Sequence, residues 1–163
     1  MQFSLNVKSS SANQICFYYE KSKKLQFCSC SKTSSKNDIS SQFKSESLSA
    51  SFGEMVFYRN SEDGHELYVG LGDGKLTEES LRELAGKIYK RLKSERVTEI
   101  NLSLEAVPFR DKVGALGAMT EGLSMADYSF DTFKAAPKKK PTEMKMNFLS
   151  KKVNASLKKA MSE

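Results

Sequence analysis

A single histidine, three cysteines and no long apolar run set the first limits on this chain of 163 residues. One imidazole, His65, removes most catalytic chemistry that relies on clustered histidines. No stretch approaches the roughly 18 apolar residues that a membrane helix needs. The segment 1–10 lacks the basic-then-apolar layout of a secretory signal. Cys16, Cys28 and Cys30 are an odd number, which argues for reduced thiols rather than a disulfide framework. There is no internal repeat, no G-x-S-x-G elbow and no H-E-x-x-H pair. These absences together predict a soluble, cytoplasmic domain with no membrane partner. What is present fits one domain: hydrophobic residues make up 39% and the mean hydropathy is −0.51, enough for one core but not two.

Charge is unevenly placed. The formal total is +6, yet residues 134–163 carry nine lysines against two acids, a local +7. The other 133 residues carry 17 basic and 18 acidic side chains, a net of −1. The basic pI therefore reflects a terminal segment rather than the basic face of a nucleic-acid binder. Serine is uneven too, with fifteen in residues 1–51.

Alternation of Phe3, Leu5 and Val7 with polar neighbours predicts a strand over 2–7. Apolar runs predict further strands at 15–19, 25–30, 54–58 and 66–71. The Ser/Lys-rich stretch 31–51 reads as a loop with a short helix near 38–45. Residues 77–94 form the best-defined helix. Thr77 is a natural N-cap, Glu78 and Glu79 suit the positive helix end, and Leu81, Leu84, Ala85, Ile88 and Leu92 make one apolar stripe. Glu78 with Arg82, and Glu83 with Lys87, are favourably spaced ion pairs on the wet side. A strand at 99–104 follows. After Pro108 a second helix is expected to turn Val113, Leu116, Gly117, Thr120 and Leu123 inward, with Gly114, Gly117 and Gly122 marking close packing, since glycine is otherwise costly in a helix. A strand over 144–148 and a helix starting within 151–161 on Val153, Leu157 and Met161 close the chain. The strand–helix–strand order of 66–104 implies a parallel crossover. The economical fold is α/β, a three-layer mixed sheet with helices on both faces.

Four features could carry chemistry. Gly70-Leu71-Gly72-Asp73-Gly74, between a strand and a helix, is either a tight βα turn or a phosphate-cradling loop. It matches neither the G-x-G-x-x-G fingerprint nor a P-loop. Cys28 and Cys30 are either half a metal site, to be completed by Cys16 and His65, or small half-buried strand residues. His65, beside Asp63, Gly64 and Glu66, reads as a solvated turn histidine rather than a catalytic one. Lys138, Lys139 and Lys140, between Pro137 and Pro141, either grip phosphates or are simply solvated, and no interleaved aromatics offer base stacking. None of these assembles into an active site.

The order of several motifs resembles a known family. Leu-Tyr-Val-Gly-Leu-Gly at 67–72, then Lys75-Leu76-Thr77 and the 77–94 helix, is similar to the amino-terminal domain of cytosolic leucyl aminopeptidases. Ala118-Met119-Thr120-Glu121-Gly122-Leu123, leading into Tyr128-Ser129-Phe130-Asp131-Thr132-Phe133-Lys134, resembles that family's E-G … Y-x-F-D-x-Y-K signature, with Phe133 where tyrosine is usual. The similarity covers roughly 54–151 and is weaker over 1–53, where only the strand order fits.

The resemblance implies an amino-terminal, macro-domain-like α/β domain followed by a catalytic domain. That second domain binds two divalent metals, zinc or manganese, and removes N-terminal residues such as leucine. Its N-T-D-A-E-G-R motif is not in these residues, so no catalytic, cofactor-binding or metal-binding residue is expected in the chain. Tyr128, Phe130 and Asp131 look like residues that end the second helix and pack the linker. The expected organisation is a domain core at 1–134, a Lys/Pro linker and last strand at 135–150, and at 151–163 the start of an interdomain helix leading to a catalytic domain beyond Glu163. The implied partners are that catalytic domain, peptide substrates reached through it, and further copies in a hexamer. Alternatives are a macro-like module for ADP-ribose or a related nucleotide, and a DNA-binding domain using the basic C-terminal segment.

Overall fold

The computed structural model describes residues 1–8, 11–28, 49–59, 64–128 and 143–162. Among these, seven strands form one mixed sheet: β1 (Gln2–Asn6), β2 (Gln14–Lys21), β3 (Lys24–Phe27), β4 (Met55–Tyr58), β5 (Glu66–Gly70), β6 (Glu99–Ser103) and β7 (Lys145–Leu149). Three helices accompany them: α1 (Glu78–Ser94), α2 (Lys112–Asp127) and α3 (Ala155–Ser162). The chain is thus an α/β fold with the strand order β1-β7-β6-β2-β5-β4, and β3 paired to β2. β1, β7, β6, β2 and β5 run parallel; β4 and β3 are antiparallel to their neighbours. The crossover through α1 passes over β2, which lies between β5 and β6. β7, the last strand in sequence, is hydrogen-bonded on both sides and sits inside the sheet.

β2 pairs with β6 only through Gln14 and Ile15. From Tyr18 onward the same edge of β2 takes β3, so the sheet splits toward the carboxyl ends of its strands. The β2–β3 hairpin turns on Ser22 and Lys23, with φ of 52° and 60°. Two consecutive left-handed residues match the twist of the strands, a job usually given to Asn-Gly. Nothing in Lys21-Ser22-Lys23-Lys24 announces this turn in the sequence.

Strand parity separates two faces. Ile15, Phe17, Leu67, Val69, Ile100, Leu102, Met146 and Phe148 share the main core with the buried stripes of α1 and α2 and with Leu157 of α3. Burying each large side chain contributes about 1.5–3 kcal/mol, so this layer carries most of the hydrophobic stabilisation. All three described helices lie on this face. The opposite face carries Cys16, Tyr18, Ala50 and Tyr68, with Leu25, Phe27 and Val56 against them. The helix expected near 38–45 lies outside the described residues.

The rest of the second face is a polar seam. Ser4 donates to Asn147 Oδ1, and Asn147 Nδ2 reaches Glu99 Oε1 at 2.8 Å and Asn101 Oδ1 at 3.2 Å. Asn101 Nδ2 donates to the Ser11 and Asn13 carbonyls at 2.6 and 2.9 Å. Glu66, only 4% exposed, accepts from Gln14 Nε2 and the Tyr68 hydroxyl, both at 2.7 Å. Buried polar groups persist where each finds a partner.

α1 forms where its cap and stripe predict. Thr77 Oγ1 accepts from the Ser80 amide at 3.1 Å, and Ser80 Oγ accepts from the Thr77 amide at 2.8 Å. This closes a capping box with serine in place of the usual glutamate or glutamine. Asp111 caps α2 through the Val113 amide at 3.0 Å. No helix among the described residues is long and apolar enough to cross a membrane.

Candidate functional site at the carboxyl ends of the parallel strands

In open parallel sheets, ligands bind outside the carboxyl ends of the strands, so this rim is the first place to look. The 70–74 loop lies here. Its amides do not point at an empty space. Gly70 N–H donates to Glu54 O at 2.8 Å, Leu71 N–H to Tyr18 O at 2.8 Å, Gly72 N–H to Ala50 O at 2.7 Å and Gly74 N–H to Leu71 O at 3.3 Å. Gly72 and Gly74 have φ of +67° and +78°, the left-handed backbone that glycine adopts without strain. The cleft beside the loop encloses about 300 Å³ and is lined by Glu20, Ser22, Ser49, Ala50, Ser51, Gly72 and Asp73. Among the described residues, two carboxylates and no cation line it, the wrong sign for a polyphosphate. The loop is a βα turn.

At the split between β6 and β3, three titratable groups come near one another. Burial pushes the Cys28 thiol up to about 11, with Lys112 opposing. A thiol held protonated at neutral pH is a poor nucleophile. Burial pulls the Lys112 ammonium below its ordinary value, against Glu105 and Cys28, and Lys112 Nζ donates to the Val107 carbonyl at 2.6 Å. Burial pushes the Glu105 carboxyl upward, but the Lys151 amide, its own amide and the Ser150 and Ser103 hydroxyls outweigh it and hold it below the usual carboxylate range. Its Oε1 receives the Lys151 amide at 2.8 Å. Glu105 and Lys112 thus tie backbone segments together.

The remaining predicted candidates do not converge. His65 precedes β5, on the far side of β2 from Cys28, with its ring 5.6 Å from that of Phe57 and its amide donating to Asn13 Oδ1. Cys28 packs on the main core and Cys16 on the opposite face. Reduced thiols were expected throughout, yet Cys16 is disulfide-bonded, while Cys28 is outside any disulfide. An odd count excludes complete pairing, not a single bond. Cys30, Phe130, Asp131 and Lys138 to Lys140 lie outside the described residues. Tyr128 ends α2 as expected, its amide donating to Ser124 O at 3.1 Å, and its side chain is 73% exposed. No group of three or more His, Cys, Asp or Glu that would hold a metal occurs among the described residues, so they do not fit a two-metal centre.

Two surface features that sequence reasoning missed flank α2. A cleft of about 660 Å³ lies between the start of α1, the outer side of α2, the end of α3 and Phe3 of β1. A groove of about 830 Å³ runs along the α1–α2 seam. Arg82, Glu121 and Met125 line both. Gly122 lets the helices meet: a Cβ there would stand 2.3 Å from the Arg82 carbonyl oxygen. Gly117, expected to face inward for close packing, does not, since a Cβ added to it meets nothing within 4 Å. The apolar composition of α2 hid which of its faces is covered.

A profile of the cytosol aminopeptidase family, N-terminal domain, matches residues 15–137. The chain belongs to that family, as the motif order at 67–77 and 118–134 implies. It is 29% identical over 122 residues to a probable cytosol aminopeptidase of Clostridium perfringens, covering 72% of this chain and 24% of that protein. Among solved structures, a tomato leucine aminopeptidase variant superposes with a TM-score of 0.73 at 15% identity, over 99% of this chain and 35% of that one. The bottromycin maturation enzyme BotP follows at 0.63 and 13%, over 94% and 29%. The structural matches show a shared fold. The chain spans about a quarter of its curated relative and about a third of the solved enzymes.

Proposed function

We propose that this chain is the non-catalytic amino-terminal domain of a cytosol aminopeptidase. The family match over 15–137 carries the reading, together with the quarter-to-third share of its relatives that the chain represents. In this reading the hydrolytic centre belongs to a catalytic part outside residues 1–163. Two divalent metals, zinc or manganese, would be held there and polarise the scissile carbonyl of a peptide's first residue. Residues 1–163 contribute no step of that reaction. Their role is structural: a rigid sheet-and-helix body that docks on the catalytic part and supports a homo-oligomer, a hexamer, in the cytoplasm.

The internally satisfied 70–74 amides and the carboxylates Glu20 and Asp73 speak against an ADP-ribose site. Exposed Lys151, Lys152 and Lys158 favour a second, weaker reading, DNA binding by the C-terminal segment. It predicts a gel shift at low salt that fades steeply as salt rises, and a blank gel at low salt removes it. The main reading is tested with Leu-p-nitroanilide and saturating manganese or zinc. Purified residues 1–163 should give no turnover above the metal alone. Metal-dependent turnover by this chain overturns the proposal.

A further inference from the structure

The rim at the amino ends of the parallel strands holds a pocket to which neither the motifs nor the family match points. Asn13, His65 and Thr98 immediately precede β2, β5 and β6, three neighbouring strands. With Arg59 and the end of α1 at residues 94–96 they enclose about 520 Å³.

Charge at this pocket is positive. Among the described residues Glu95 is the one carboxylate in the lining, and two guanidiniums share it. Arg59 Nη2 lies 2.6 Å from one of its oxygens and Arg91 Nη2 2.9 Å from the other. Arg96 brings a third guanidinium, exposed and with no side-chain ion pair or hydrogen bond to any described residue. The adjoining Glu62 and Asp63 lie outside the described residues. The negative end of α1 does not cancel the surplus, because its last carbonyls are engaged. Leu92 O accepts from the Val97 amide at 3.0 Å and Lys93 O from the Arg96 amide at 3.2 Å, while Arg91 O accepts from the Glu95 amide and the Ser94 hydroxyl.

Two anomalies fall on the same pocket. Those paired carbonyls form a Schellman turn, whose left-handed position normally holds glycine, yet Arg96 occupies it with φ of 58°. Backbone strain of this kind collects at functional sites, where a particular side chain is needed. His65 Nδ1 and Arg91 Nε are also buried without a hydrogen-bond partner, although buried polar atoms are nearly always paired.

We propose that this pocket binds the phosphate group of a small molecule, with Arg96 and Arg59 as its guanidinium ligands. Planar donor forks suit phosphate oxygens, and the surplus of positive charge suits a dianion. The volume exceeds that of a phosphate ion and falls in the range of small-molecule sites. The inference goes beyond the aminopeptidase reading and does not depend on it.

His65 is the only histidine of the chain, so its ring resonances in an NMR spectrum report on this pocket alone. The protein is titrated with inorganic phosphate and, in parallel, with chloride at matched ionic strength and pH. Phosphate should move the His65 signals saturably, with a dissociation constant in the millimolar range or below, and chloride should not. Arg96→Gly separates the site from the fold. In chloride it should melt above the native chain, since it relieves the left-handed strain, yet it should lose the rise in melting temperature that about 50 mM phosphate gives the native chain. Arg59→Gln should weaken phosphate binding at least about tenfold. Signals that stay still in phosphate, that move equally in chloride, or that still saturate in Arg96→Gly overturn the proposal.

Discussion

α1 and α2 lie side by side against the same sheet face, yet they finish their outer surfaces in opposite ways. α1 is amphipathic: six buried side chains inward, ion pairs outward, Lys87 to Glu83 at 2.7 Å among them. Such exposed pairs contribute only about 0.3–0.5 kcal/mol each, but they make the face wettable. α2 buries Ala115, Leu116, Ala118, Met119, Thr120, Gly122 and Leu123 and leaves Glu121, Ser124 and Met125 outside, with one charge among them. The first helix finishes in a charged, paired outer face; the second leaves Met125 68% exposed beside Glu121 and Ser124.

Substitutions along the two helices sharpen that contrast, and the largest effects should come from their buried sides. Leu84→Ala opens a void under α1 and should cost about 3 kcal/mol in chemical denaturation. A loss under 1 kcal/mol would mean that α1 packs less tightly than described. Gly122→Ala drives a methyl into the α1 backbone at the Arg82 carbonyl and should cost about 2–3 kcal/mol, because backbone cannot rotate away. Thr77→Ala removes the cap of α1 and should cost about 1 kcal/mol. Gly117→Ala, on the open stripe, should do the reverse and raise the stability of the free chain by up to about 1 kcal/mol through helix propensity. Gly117 and Gly122 thus predict opposite signs five residues apart in one helix; equal signs would break the comparison.

The smallest expected effect is a pH dependence where α2 ends. Asp127 accepts from the α-amino group of Met1 at 2.7 Å and from the Tyr89 hydroxyl. Burial pushes the Asp127 carboxyl up, but these hydrogen bonds outweigh it and hold it below its usual value. A carboxyl depressed in the fold adds stability above its unfolded pKa of about 4 and loses it as pH falls through the lower folded value. The Met1 ammonium, raised chiefly by Asp127, adds stability below about pH 8 and loses it as pH climbs through its raised value. Asp127 is about a third exposed, so solvent screening keeps the contribution near 1 kcal/mol or less. Comparing melting curves of the native chain and Asp127→Asn from pH 3 to 10 should show a gap at neutral pH that narrows at both ends. A gap that stays constant would remove Asp127 from the account.

What could be read in advance follows from how strongly each segment is patterned. α1 was legible because Thr77, the two glutamates and the Leu81–Leu84–Ile88–Leu92 stripe all signal the same helix. Alternation made β1, β6 and β7 legible as strands, but not their order, since the placement of β7 between β1 and β6 depends on contacts about 45 and 140 residues apart. The Ser22–Lys23 turn was invisible because neither residue favours the left-handed backbone it adopts. α2 was legible as a helix and illegible as a surface: apolar on all sides, it gives no moment to orient it, so Gly117 and Gly122 look alike until their neighbours are known. The candidate loop at 70–74 was readable as a βα turn. Only the structure adds the reason, that each of its glycine amides is already engaged.

The central claim is that residues 1–163 serve a hydrolytic centre they do not contain. Native mass spectrometry of the protein isolated from its source tests this most directly. The account predicts these residues in one assembly with a longer, metal-loaded catalytic polypeptide, covalently continuous or bound, with hydrolysis of Leu-p-nitroanilide confined to that assembly. A 163-residue species that occurs alone, carries two metals and hydrolyses the substrate would contradict it.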